Sequence, residues 1–162
     1  MKFYMLIGPT GCGKTTYRKQ HLADIPCVSP DDFIVGRWTS EKAKLAWMHA
    51  ENMAAQLMQE GEDLVVDAQF INQSTRNAWM THARSFKYEI YGICFKTPYD
   101  QLLKNHETRG SRGNYGCVPL KVIGHSSRSF DHQMNDMSNF NGFDDLKVIK
   151  WEDINEEKLH NL

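Results

Sequence analysis

Gly8-Pro9-Thr10-Gly11-Cys12-Gly13-Lys14-Thr15 is the stretch that decides the fold of this chain. It matches the pattern G-x-x-x-x-G-K-[ST] in the context the pattern requires. An apolar run, Phe3 to Ile7, precedes it, and a stretch suited to a helix, Lys14 to Ala23, follows. Strand, loop and helix in that order make a phosphate cradle. Its glycines let successive backbone N–H groups curl around phosphate oxygens, because no Cβ blocks the turn or the anion. Lys14 offers a compact positive charge to the β- and γ-phosphates of a nucleoside triphosphate, Thr15 a hydroxyl to magnesium, and the helix its positive end. The expected nucleotide-binding residues are therefore Gly8, Pro9, Thr10, Gly11, Cys12, Gly13, Lys14, Thr15 and Thr16. For Cys12, a side chain turned away from the phosphates competes with a thiol activated by the helix start.

Outward from the cradle, Pro26 to Val28 reads as a second short strand. Ser29-Pro30-Asp31-Asp32 is then a polar turn at its carboxyl end, where the ligand crevice of an open parallel sheet lies. From Ser40 to Gln59, Ala43, Ala46, Trp47, Ala50, Met53, Ala54, Leu57 and Met58 recur at spacings of three and four, which predicts an amphipathic helix. Leu64 to Val66 is a buried-strand signal closing on Asp67. Asn72 offers an N-cap oxygen to a helix running through Phe86, and Tyr88 to Phe95 returns as a strand. Thr97-Pro98-Tyr99-Asp100 combines a capping hydroxyl with proline at the first helical position, and the helix is expected to run to about His106.

Arg109 to Gly116 breaks the periodicity with three glycines and two arginines, the signature of a mobile lid spanning about 105–118. Val118-Pro119 starts another helix, Leu146 to Ile149 supplies a last strand, and Glu152 to Glu157 reads as a solvated tail or terminal helix. Strand and helix alternate with no internal repeat. The expected fold is α/β: a P-loop kinase fold, a parallel β-sheet sandwiched by α-helices, with a helical, glycine-rich lid.

Composition bounds the answer without naming a substrate. At 162 residues with 41% hydrophobic residues, one domain covering 1–162 is expected, and a net charge of -1 points to no particular partner. Cys12, Cys27, Cys94 and Cys117 form no Cys-x-x-Cys pair, against a zinc site or a disulfide framework and in favour of a reducing cytoplasm. No apolar run approaches the ~18 residues that span a bilayer. The seven histidines lack metal spacing, and Trp47 and Trp79 fall at helical intervals that suit the core.

The chemistry follows from what accompanies the cradle. No guanine-reading Asn-Lys-x-Asp motif is present, and Asp67 is followed by Ala68, so no glutamate stands ready to activate a water. An Asp pair follows the second strand instead. That pairing favours transfer of phosphate from ATP to an acceptor hydroxyl, with Mg2+ held by Thr15 and Asp67. Asp67 could equally cap the next turn, and Asp31 could be an Asx-type turn residue.

Gly8 to Thr16, Ser29-Pro30-Asp31-Asp32-Phe33, Val66-Asp67 with Arg76 and Trp79 downstream, Phe95-Lys96-Thr97-Pro98, Leu102-Leu103-Lys104 and Arg109-Gly110 stand in a telling order. Over residues 2 to 130 the chain resembles the 5′-kinase domain of the phage polynucleotide kinase family. The resemblance implies an ATP-dependent kinase for the 5′-hydroxyl ends of DNA or RNA. It implies Asp31 as general base and Arg109 as the lid cation on the migrating phosphoryl group. Arg112 is expected as a second, nucleotide-binding lid cation, though Arg109 and Arg112 could both be solvated charges of a glycine-rich loop; Lys104 and Asn105 are further lid-side candidates. The family carries an arginine three residues after its base, where this chain has Ile34; Arg37 is the nearest alternative. The family's phosphatase signature is missing.

Lys104, Arg109, Arg112, Lys121 and Arg128, with Tyr115 among them, could track a nucleic-acid strand, though a kinase lid must be basic in any case. Two other functions compete: a kinase for a small hydroxyl compound such as a nucleoside, sugar or antibiotic, and a nucleotide-binding switch without transfer.

Overall fold

Phe3, Met5 and Ile7 alternate with Tyr4 and Leu6 along β1 (Lys2–Ile7), and the alternation sends the two sets into two different cores. The computed structural model of the protein describes residues 1–111 and 118–154. After β1 come α1 (Lys14–His21), β2 (Cys27–Val28), a 3-10 turn (Pro30–Phe33), α2 (Ser40–Gln59), β3 (Leu64–Asp67) and α3 (Gln73–Ser85). β4 (Glu89–Lys96), α4 (Tyr99–Ser111), α5 (Leu120–Met134), a second 3-10 turn (Met137–Phe140) and β5 (Asp145–Lys150) complete the order.

All strand pairings are parallel, and the order is β2-β3-β1-β4-β5. Because β1 lies between β3 and β4, the chain leaves its carboxyl end where the strand order changes direction, the usual crevice of such sheets. One core joins Phe3, Met5 and Ile7 to Ala50, Ala54 and Met58 of α2 and to Trp79, Met80 and Ala83 of α3. The other joins Leu6 to Tyr17 of α1, Leu102 of α4, Ile123 of α5 and Ile154. The helices cover both faces of the sheet, as expected for a P-loop kinase-like fold.

Several local expectations need correction. α4 continues past His106 to Ser111, so Arg109 stands on a helix and not in a loop. Thr108 Oγ1 donates back to the Lys104 carbonyl at 3.0 Å, a bond one helical turn long, and the single Gly110 does not end the helix. Asn72 occupies the N-cap position of α3 without capping it, its Oδ1 accepting from Ser74 Oγ at 3.3 Å instead. On α2 the buried stripe is Ala46, Ala50, Ala54 and Met58, whereas Met53 is exposed. Residues 151–154 are helical; Glu157, and the lid residues Arg112, Tyr115, Gly116 and Cys117, lie outside the described residues.

Candidate active site

The register Leu6↔Asp67 between β1 and β3 sets the end of β3 beside the start of the cradle. There Gly8 N donates to the Gln69 carbonyl at 2.9 Å. A Cβ on Gly8 would stand 2.6 Å from Cys12 Sγ and 3.2 Å from the Phe95 carbonyl oxygen, so only glycine fits. Gly13 precedes α1 with φ 105°, and a Cβ there would meet Ile154 Cδ1 at 2.7 Å. Cys12 is fully buried and burial pushes its thiol pKa up, so it rests protonated inside the fold.

Two side chains fasten α4 to this loop. Thr97 Oγ1, expected as a helix cap, donates instead to the Cys12 carbonyl at 2.9 Å. Asn105 Nδ2 donates to the Gly11 carbonyl at 2.7 Å, and its own Oδ1 accepts from Gln101 Nε2 at 2.9 Å. Arg109 lies four residues beyond Asn105, on the same helix face, and lines the cleft. Lys14 is buried, its Nζ donating to the carbonyls of Gly8 at 2.7 Å and Pro9 at 3.0 Å. A phosphate entering the cradle competes with those carbonyls for the ammonium.

Thr15 Oγ1 donates to Asp67 Oδ2 at 2.9 Å, and Arg18 Nε lies 3.9 Å from the same carboxylate oxygen. A hydroxyl and a carboxylate are the hard oxygen donors that magnesium takes alongside nucleotide phosphates and water. Among the described residues no cluster of three or more His, Cys, Asp or Glu offers an all-protein cage. The residues present therefore fit magnesium shared with a nucleotide.

Across the cleft, Pro30 opens the 3-10 turn that carries Asp31. Asp31 lines the cleft and Asp32 does not. Asp31 is reachable from solvent, yet protein crowds its inner side and this partial burial raises its pKa above the ordinary carboxylate value. Lys14 opposes the rise, Asp67 adds to it, Arg109 opposes it, and Asp32 adds to it. A carboxylate poised higher than usual is better matched to accepting a proton near neutral pH.

The cleft has a volume of about 240 Å3, and Asp31, Trp47, Ala68 and Gln69 line it together with Lys14, Asn105, Arg109 and Trp151. Trp47, read from its spacing as core, is only half-buried, because it stands at the edge of the α2 stripe. Trp151, the first of the helical residues after β5, carries no sequence signal at all. Lys104, Lys121 and Arg128 are exposed and do not line the cleft. Arg37 is likewise exposed and outside it, in a loop whose Val35 and Arg37 carbonyls accept from Lys42 Nζ. Arg76 proves structural: its guanidinium donates to the carbonyls of Phe70, Ile71 and Asn139 and to Gln133 Oε1, at 2.7 to 2.9 Å.

The fold recurs in solved structures. One is an inferred kinase of Chloroflexus aurantiacus, 16% identical, with a TM-score of 0.67 over 99% of this chain and 98% of that one. Another comes from the Pnkp1/Rnl/Hen1 RNA repair complex, 18% identical, TM-score 0.65, over 83% of this chain and 45% of that one. A gluconokinase of Sinorhizobium meliloti is 12% identical, TM-score 0.60, over 98% and 90%. At these identities the likeness is one of fold. No curated protein matches the sequence. The family model for an AAA domain, AAA_33, matches residues 3–132, and the chain belongs to that family.

Proposed function

We propose that this protein is an ATP-dependent kinase that transfers the γ-phosphoryl group to the 5′-hydroxyl end of a nucleic acid. The observation that carries the reading is the meeting of Lys14, Arg109, the Thr15–Asp67 pair and Asp31 around one cleft. Asp31 accepts the proton of the acceptor hydroxyl while the acceptor oxygen bonds to the γ-phosphorus and the bond to the bridging β-phosphate oxygen breaks, leaving ADP. Lys14 and Arg109 hold the negative charge that spreads over the phosphoryl oxygens. Thr15 and Asp67 would hold magnesium, which would supply further neutralisation of the triphosphate. Asp31 stands where solvent reaches it, so a hydroxyl at the end of a long chain can be presented without enclosing the rest of the acceptor.

A second reading, a kinase for a small hydroxyl compound, is favoured by one observation. Among the described residues, Lys14 and Arg109 are the only lysine or arginine side chains lining the cleft, and with both assigned to the triphosphate no further cation is left for an acceptor phosphate. The deciding experiment incubates the protein with γ-labelled ATP and magnesium, with a 5′-hydroxyl oligonucleotide in one sample and nucleosides and sugars in others. Label on the oligonucleotide is the expected result; label on small acceptors alone would replace the first reading with the second.

A further inference from the structure

We propose that Trp47 is the seat of the acceptor's terminal base, and that the acceptor group held beside Asp31 is an uncharged planar ring and not a phosphate. The inference rests on the kinase reading and names what its acceptor end recognises. Trp47 lines the cleft together with Asp31, Ala68 and Gln69 and is half-buried. Its indole meets the Phe70 ring at 5.5 Å and 83° and the Trp79 ring at 6.1 Å and 68°. Edge contacts of this kind fix an aromatic side chain in advance, so little freedom is lost when a second ring stacks on it.

The backbone next to this ring cluster is held in place. Phe70 has φ 48°, in the left-handed region that bulky residues rarely adopt, and its carbonyl is held by Arg76 at 2.7 Å. Strain of this sort persists where surrounding bonds enforce it, and it clusters at ligand sites. Here it keeps Phe70 against Trp47 while the preceding Gln69 faces the cleft and its carbonyl holds Gly8 N.

Charge decides what the ring belongs to. A phosphate placed next to Asp31 would face the carboxylates of Asp31 and Asp67, and the cations that act on Asp31, Lys14 and Arg109, are those the triphosphate takes. Ile34 is uncharged, and Arg37 does not line the cleft. A neutral base on an indole face suits this end, and such stacking contributes a factor of about 10 to 100 in binding.

The test compares two 5′-hydroxyl oligonucleotides, one ordinary and one with an abasic sugar at its 5′ end, in wild type, Trp47→Phe and Trp47→Leu. Wild type is expected to show about 10- to 100-fold higher KM for the abasic acceptor. Trp47→Phe should keep most of that preference and Trp47→Leu should lose it, with the KM for ATP unchanged as the check that the variant is folded. Equal KM values in wild type, or a preference surviving in Trp47→Leu, overturns the proposal. If wild type labels no oligonucleotide, the nucleic-acid reading falls separately. Tryptophan quenching by adenosine in the ADP-loaded protein, absent with ribose and lost in Trp47→Phe, then upholds the ring seat; no such quenching overturns it.

Discussion

The phosphate cradle and the proposed acceptor site are built by opposite means. The first is one contiguous loop and the start of one helix, Gly8 to Thr16, working through backbone groups and braced by Thr97 and Asn105. The second is assembled from Pro30 and Asp31, Trp47, and Ala68 and Gln69, side chains brought together only when the 3-10 turn, α2 and the end of β3 pack against each other. On the proposed function, triphosphate binding depends on local chain geometry, and acceptor choice on tertiary packing. A change at one end should be readable without disturbing the other.

Arg109→Gln gives the largest expected effect, a fall in kcat of about 10³-fold or more with every acceptor, since it removes a cation from the phosphoryl group. The pH profile carries a second signature. Arg109 lowers the Asp31 pKa, so without it the acid limb of the rate profile should move to higher pH. A loss confined to one acceptor would break the division into two ends.

Arg76→Met strikes the frame of the acceptor end. It strands the buried Phe70 carbonyl and the part-buried Asn139 carbonyl, while Ile71 keeps Gln133 Nε2, and urea unfolding should show a loss of about 3 kcal/mol. In protein still folded, KM for the acceptor should rise more than KM for ATP. Asn105→Ala removes the bond from α4 to the Gly11 carbonyl and should lower kcat/KM for ATP by about 10-fold, with acceptor KM unaltered.

The smallest effect concerns stability. Partial burial raises the Asp31 pKa in the folded protein above its unfolded value, so the ionised carboxylate costs stability at any pH above that value. Asp31→Asn should accordingly raise Tm at neutral pH. The gain should fade as pH falls through the folded pKa and vanish below about 3.9, where the carboxyl is protonated in both states.

The same contrast explains what could be read from the sequence. The cradle, α2 and the buried strands were legible because glycine spacing and hydrophobic period are local properties. Thr97 and Asn72 carry cap-forming side chains, but the nearby Cys12 carbonyl and Ser74 hydroxyl took those side chains instead. Trp47 shares its spacing with Ala46 and Ala50, and only the position of β3 beside α2 turns it toward the cleft. Trp151 reaches Gly13 because β5 delivers it there, a placement no local pattern encodes. Arg76 belongs to a run quoted for its likeness to a kinase family, yet its partners on α5 and the following turn make it a brace.

The most direct test of the account is a single-turnover measurement on Asp31→Asn, with nucleotide binding and phosphoryl transfer recorded on the same sample. The account predicts ATP affinity like that of wild type, in magnesium, and transfer to the acceptor slower by about 10²- to 10⁴-fold. Transfer at the wild-type rate would contradict it, since Asp31 would then accept no proton in the reaction.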